Sequence, residues 1–434
     1  MISEDPTTPS DLDTNLLQTT PLLPPQELRS FVQQYLGRRD RYDLVFEKHK
    51  PPLYILDSSV LKEKARQFRH AFLRALPEPT FYFALKSNNH PDVAKTLLES
   101  DYGLDVSSGL ELEMALALGA RDIIFSGPGK TDGELELALK HGHYVVVLID
   151  SFGELQRLAK IAAEHNRTIR AGVRLRTDPG GLWRKFGIAP TALRDFWRAT
   201  ERCPHIRLEG LQFHTSWNLS PESQIKYIEQ LGQVIADLPV PVRKQIGFVD
   251  IGGGYWPEHG EWLRAEGTPA GIIRKALGQS AGPPNIHFRL PATPVKIFAA
   301  ELSTAIKKHL SQIYPCRICL EPGRWICNDA MHLFISVVDK KADDLVITDA
   351  GTNAIGWERF ETDYSPILNL TRPALQEKVC HILGSLCTPH DVWGATYWGD
   401  DIQPGDILMI PAQGAYTYSL RQDFIKPLPS VVTI

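Results

Sequence analysis

Three short stretches carry residue types that could do chemistry. "TFYFALKSNN" (80–89) ends an apolar run on Lys86, "DIGGGY" sets Gly252, Gly253 and Gly254 after another, and "EPGR" holds Glu321 three residues before Arg324. A lysine amine at the end of a buried strand can attack a carbonyl carbon. Consecutive glycines let backbone N–H groups approach an anion closely. Arginine suits a phosphate, and a glutamate beside a protonated heteroaromatic nitrogen would hold the proton there. Amine, phosphate cradle and carboxylate together describe pyridoxal phosphate held as a Schiff base. Taken singly, each has a plainer reading. Lys86 would mark a strand's exit into water, its stem along the core. The glycines would be a tight turn, and Glu321 with Arg324 a surface ion pair.

What decides between these readings is the set of elements that must position them. From about residue 50 to 330, short apolar strands alternate with helical stretches. The strands are "TFYFAL", "YGLDVSS", "DIIFSGPG", "YVVVLID", "IRAGVRLR", "LEGLQFHT", "IGFVDIGGG" and "CRICLEPGR". Eight strand–helix units over this length predict a closed parallel (β/α)₈ barrel. An open doubly wound sheet is the alternative. In a barrel, chemistry sits where the strands end. Those ends carry Lys86, Asp105, "SGPGK", Arg174, His214, the three glycines and "EPGR", so all converge on one mouth. After 330 the runs "MHLFISVVDKK", "DLVITDAG", "KVCHILGSL" and "GDILMIP" predict a C-terminal β domain (331–434), joined by the strand near 51–57. Residues 46–330 are assigned to the barrel and 1–45 to an N-terminal extension with a short helix.

Composition narrows the classes of function. The chain has 434 residues, 43% hydrophobic and 23% charged, with net charge −4. No basic run points to nucleic acid or a membrane surface. No apolar stretch is long enough for a spanning helix, and no secretory signal is visible, so a cytoplasmic protein is expected. Six cysteines in this length read as reduced thiols. Cys316 and Cys319 form a C-x-x-C inside an apolar run with no second pair, so they read as buried and inert, and no metal site is expected.

At this point the motifs resemble a family. "FYFALKSN", "GLDVSSGLELEMALALGA", "IIFSGPGKT", "KFGI", "LQFHT", "DIGGGY", "EPGR", "TDAGTN", "GSLCTPHD" and "GDILMIPAQGAYTYSL" run in the order seen in fold-type III pyridoxal-phosphate decarboxylases, which act on ornithine, arginine or diaminopimelate. The resemblance implies an alanine racemase-like barrel with a β domain and a homodimer with shared active sites. It implies that Lys86 is the Schiff-base lysine and that His214 stacks on the cofactor ring. Gly252, Gly253, Gly254, Arg324 and Tyr416 would hold the phosphate, Glu321 would pair with the pyridine nitrogen, and Asp105 and Arg174 would join the cofactor site. Cys387 would reach the partner subunit's site and protonate the carbanion. Asp349, Trp357, Arg359, Thr388 and Asp391 fall where the resemblance places substrate contacts.

The sequence also departs from those relatives. The usual "HxGS" is "HTSW", so Trp217 stands where a phosphate-binding serine is expected, and Thr215 or Ser216 would have to compensate. Thr388, not an acid, follows Cys387. The arginine that grips a distal carboxylate in diaminopimelate decarboxylases falls on Trp357, with Arg359 two residues out of register. "CTP" and the ending "FIKPLPSVVTI" look more like decarboxylases of siderophore and antibiotic pathways, whose substrates are attached to a larger carboxylate or a carrier. Three alternatives stay open: a diaminopimelate or basic amino-acid decarboxylase, an amino-acid racemase, and a catalytically dead regulatory homologue.

Overall fold

The structure, a computed structural model, describes residues 20–356 and 362–434. Its contacts divide the chain into two units.

The first unit comprises 58–258 and 293–327. Its strands are β1 (Thr80–Ala84), β2 (Gly103–Val106), β3 (Ile123–Phe125), β4 (Val145–Ile149), β5 (Ile169–Leu175), β6 (Ile206–Phe213), β7 (Phe248–Asp250) and β8 (Arg317–Leu320). They form a closed barrel in chain order, with β8 pairing to both β7 and β1. Every ladder is parallel. The sequence explains this directly. β4 reads Val-Val-Val-Leu-Ile and is buried throughout, as a strand covered on both faces must be. Helices connect most of the strands and start on clear signals, such as the capping box of Thr131 and Glu134 before Asp132–Lys140. Tyr82, Ile124, Val146, Leu148, Phe248 and Cys319 form one cluster of packed side chains, as expected of a filled barrel interior. Gly210 makes room for this layer, since a Cβ there would lie 2.1 Å from the Phe248 ring.

Cys316 and Cys319 are free and buried, and burial pushes the Cys316 thiol up to about 11. Both are therefore protonated and unreactive near neutral pH.

The second unit comprises 1–57, 259–292 and 328–434. Its centre is an eight-stranded sheet around the long strand Met331–Ala342. That strand pairs antiparallel with Leu53–Leu56, Leu345–Thr348 and Ile407–Ile410. Ser430–Thr433 lies parallel to Leu53–Leu56 at the edge. The helices Pro25–Leu36 and Arg39–Phe46 place Val32, Tyr35, Tyr42 and Val45 in one core with Leu53, Phe334, Leu368 and Met409.

The expected domain limits need correction. The strand expected near 51–57 to join the β domain is Leu53–Leu56, paired on both sides within the β sheet, and the rest of 46–57 belongs with it to the β unit and not to the barrel. Segment 259–292 also belongs there. Its strands Glu261–Leu263 and Phe288–Leu290 pair with each other, and Leu22 bridges to Phe288. The helix near the N-terminus is thus part of the β unit's core rather than of a separate extension. One long strand, Val392–Trp398, had no counterpart in the sequence reading, because Gly394 and Ala395 interrupt its apolar pattern. Among the described residues no helix is long and apolar enough to cross a membrane.

Candidate active site

Lys86 sits just beyond β1, in the single 3-10 turn Leu85–Ser87. Its Nζ donates to Asp105 Oδ2 at 2.6 Å. Asp105 lies on β2, fully buried, and its Oδ1 accepts from Ser126 Oγ at 2.5 Å. The Ser107 hydroxyl is 3.1 Å from Ser126 Oγ. A buried strand can end on a lysine because the next strand supplies its counter-ion. Burial pushes the Asp105 carboxyl up, and the nearby Glu321 charge pushes the same way, against the pull of Lys86.

Glu321 follows β8 directly. Its N–H donates to Gly252 O at 2.9 Å, and Gln212 on β6 donates to its Oε1 at 3.3 Å. His214 follows β6. Its Nδ1 accepts from the Gly253 N–H at 3.1 Å and lies 3.6 Å from Glu321 Oε2. A nitrogen that accepts a hydrogen bond carries no proton, so the 3.6 Å approach to Glu321 is not a hydrogen bond. Burial holds the His214 imidazole below its usual range, although Glu321 pulls the other way. The ring is neutral, with its proton on Nε2.

Burial alone would raise the Glu321 carboxyl. The positive charges of Lys86 and Arg174 oppose it and favour the ionised carboxylate. Asp250, the last residue of β7, behaves oppositely. Burial first, and then the Glu321 charge, push it well above the usual range, while its Oδ1 accepts from the Gly252 N–H at 2.8 Å. The surroundings push the two neighbouring carboxyls in opposite directions.

The glycine loop closes the other end of the site. Gly252 and Gly254 adopt φ of 70° and 82°. A Cβ at Gly253 would fall 2.2 Å from Glu321 O, so the loop is a cradle that side chains would fill. Two of its three N–H groups are already committed, to Asp250 and His214. The expectation that all three glycines offer donors is corrected accordingly. Among the described residues, the Gly254 N–H is the one left to meet a ligand. Arg324 opens the short helix Arg324–Cys327, its guanidinium 4.4 Å from the Trp256 ring centroid. Arg174, at the end of β5, is buried and lies 4.5 Å from the Phe186 ring centroid. Ser216 is half-buried, and the Thr215 hydroxyl is taken by Asn218 Oδ1 at 3.0 Å. Trp217 adopts φ of 54° and leaves its side chain 53% exposed.

Lys86, Asp105, Arg174, His214, Ser216, the glycines, Glu321 and Arg324 all belong to the barrel unit, at the C-terminal ends of its strands. Asp349, Cys387, Thr388, Asp391 and Tyr416 belong to the β unit. There, Cys387 is a free, exposed thiol in a loop where the Thr388 N–H donates to Leu386 O. Asp349 accepts from the Ser336 N–H. Tyr416 has a left-handed φ of 56°. Asp391 does not fit the substrate contact expected of it. Its buried carboxylate accepts from the N–H and hydroxyl of Thr352 and from the Leu386 N–H, so it ties two loops together. Trp357 and Arg359 lie outside the described residues.

The comparisons with known proteins agree with this geometry. Residues 59–328 match the family described as pyridoxal-dependent decarboxylase, pyridoxal binding domain. The chain belongs to this family. It is 27% identical to the L-glutamyl-[BtrI acyl-carrier protein] decarboxylase of Niallia circulans over 416 residues, covering 89% of each chain. It is 26% identical to a diaminopimelate decarboxylase of Methanothermobacter thermautotrophicus, covering 92% of this chain and 90% of that one. Among solved structures, the diaminopimelate decarboxylase of Helicobacter pylori complexed with L-lysine superposes with a TM-score of 0.73 at 21% identity. That match covers 91% of this chain and 94% of the other.

This decarboxylase is a pyridoxal-phosphate-dependent carboxy-lyase, and its residues fit the cofactor. They supply an amine, a buried ionised carboxylate and a cradle with no room for side chains. Asp250, Gln212 and Ser126 were missed in the sequence. Asp250 carried a signal there, a carboxylate inside the apolar run "FVDI" immediately before the glycines.

Proposed function

We propose that this decarboxylase acts on an amino acid whose far end is masked by conjugation to a larger carboxylate or a carrier, in a biosynthetic pathway of the siderophore or antibiotic kind. The observation that carries the reading is Thr388. A neutral hydroxyl follows Cys387 where an acid would pair with a distal ammonium, so the site is suited to a substrate without one. The likeness to a decarboxylase named for a carrier-bound glutamyl group supports the same reading.

In this reading each residue has a task. Asp105, 2.6 Å from Lys86 Nζ, is the counter-ion that holds the amine in place at the barrel mouth. Glu321, held ionised, would keep a proton on the cofactor's ring nitrogen. When bound, the cofactor's protonated ring takes up the electron pair left as CO₂ departs. Neutral His214 would cover the ring, and Arg324, Arg174 and Gly254 would hold the phosphate. Cys387 delivers a proton to the former α-carbon in the second subunit's site of a homodimer.

CO₂ release from matched substrates tests the substrate class. Free glutamate and other free amino acids, diaminopimelate, and an α-amino acid joined through its distal carboxyl to a pantetheine thioester would be compared. The thioester should have a kcat/KM at least ten times that of the free acids. The diaminopimelate reading is favoured by several relatives of that name, among them those of Aquifex aeolicus and Bacillus subtilis. A higher kcat/KM for diaminopimelate would establish it instead.

A further inference from the structure

We infer that Asn218 is a positioning residue for the phosphate cradle. In this chain a buried amide shapes the backbone that meets the phosphate, at a turn where Trp217 stands in place of a hydroxyl ligand. The inference rests on the assignment of the glycine loop to the cofactor phosphate.

Asn218 is 2% exposed, and its side-chain amide and backbone N–H are engaged with the two loops that form the cradle. Its Nδ2 donates to Gly253 O at 2.8 Å and to Thr215 O at 3.1 Å. Its backbone N–H donates to Gly254 O at 3.0 Å, and its Oδ1 accepts from Thr215 Oγ1 at 3.0 Å. The side chain thus spans the turn after β6 and the glycine loop after β7.

Two consequences follow from peptide geometry. In a planar trans peptide the carbonyl and the following N–H point in opposite directions. With Gly253 O turned towards Asn218, the Gly254 N–H faces away from Asn218, and it is the cradle donor that neither Asp250 nor His214 takes. The space is also closed, since a Cβ at Gly254 would lie 2.5 Å from Thr215 O and 2.7 Å from Asn218 Nδ2. The left-handed backbone of Trp217 turns its ring outward and lets the chain deliver Asn218 inward one residue later. An aspartate has the same shape but no donor. Placed here, it would set a carboxylate against two carbonyl oxygens and beside an anion.

The test is binding, measured on the cofactor-free full chain. Affinity for pyridoxal phosphate and for pyridoxal, which lacks the phosphate, would be titrated by protein fluorescence. The variants would be Asn218→Asp and Asn218→Ser, with a thermal melt of each to establish folding. Losing two hydrogen bonds predicts about tenfold or greater weakening for pyridoxal phosphate in Asn218→Asp. Asn218→Ser should weaken it less. Pyridoxal affinity should change less than threefold in both. Equal weakening for the two ligands, or none for either, would overturn the inference. If Asn218→Asp does not fold, Asn218→Ser decides by the same ratio. Failure of the wild-type protein to prefer pyridoxal phosphate over pyridoxal would instead remove the phosphate assignment on which the inference depends.

Discussion

The barrel mouth and the loop around Cys387 treat their charged groups in opposite ways. At the mouth, Lys86, Asp105, His214, Asp250 and Glu321 are set against one another. Each is pushed or held by a neighbour, and two carboxyls are pushed in opposite directions. In the β unit, the one buried acid of the loop, Asp391, is saturated by backbone and hydroxyl donors, and the exposed Cys387 stands on the framework it ties down. The first arrangement tunes reactivity by electrostatics. The second fixes the loop that carries Cys387, the proton donor proposed above. Substitutions at the mouth should therefore change chemistry with little change in folding, and substitution of Asp391 should do the reverse.

The largest effect is expected at Lys86. Lys86→Ala should abolish turnover while circular dichroism and the melt of the cofactor-free protein stay near wild type. Asp105, already pushed up, takes a proton when its partner is lost and is not left as an unpaired buried charge. Turnover near wild type in the variant would mean the amine has no catalytic part. Next comes Glu321→Gln, which keeps the shape but cannot hold a ring proton. kcat should fall by several orders of magnitude while KM changes little. Matched losses in both constants would make Glu321 a structural residue.

Cys387 tests whether the two regions meet across subunits. Lys86→Ala and Cys387→Ala homodimers should each be severely impaired. After subunit exchange, half the dimers are mixed, and each of these has one intact site of two. Activity should return to about a quarter of wild type, for independent sites in a symmetric dimer. Proven exchange with no recovery would place Cys387 at its own chain's cofactor or remove the shared-site dimer.

Smaller effects sharpen the contrast. Asp391→Asn puts an amide where the Leu386 N–H needs an acceptor, so stability should fall by about 1–3 kcal/mol in a denaturant melt. Any loss of kcat should be traceable to unfolding. Asp250→Asn should instead change how stability depends on pH. A carboxyl whose pKa is raised by folding contributes stability that is fully present below its unfolded pKa and is lost as pH rises through the folded one. The amide does not titrate, so the variant's melting temperature should fall less than wild type's between acid and neutral pH. Parallel pH profiles for the two proteins would mean Asp250 is not raised.

How much of this could be read beforehand also differs between the regions. The eight barrel strands were legible because parallel strands buried on both faces are short apolar runs, and the helices between them separate one from the next. Their ends located Lys86, His214, Glu321 and Arg324 without any side-chain geometry. The strand near 51–57 was read as joining the β domain, but the assignment of the N-terminal helices and of 259–292 to that unit was not legible. It depends on pairings such as Leu22 with Phe288, between residues more than 260 positions apart. Local pattern carries no information about such partners. Asp391 looked like a substrate ligand because its motif named it and only its hydrogen bonds reveal its engagement. Asn218 sat unnoticed in a polar turn for the same reason.

The claim on which the rest depends is that Lys86 at the barrel mouth carries the cofactor. Borohydride reduction of the purified enzyme loaded with pyridoxal phosphate, followed by peptide mass spectrometry, reads this directly. The prediction is one phosphopyridoxyl group per chain, on the peptide containing Lys86, and its absence when Lys86→Ala is treated in the same way. A label on another lysine, or none at all on a protein that binds the cofactor, would contradict the account.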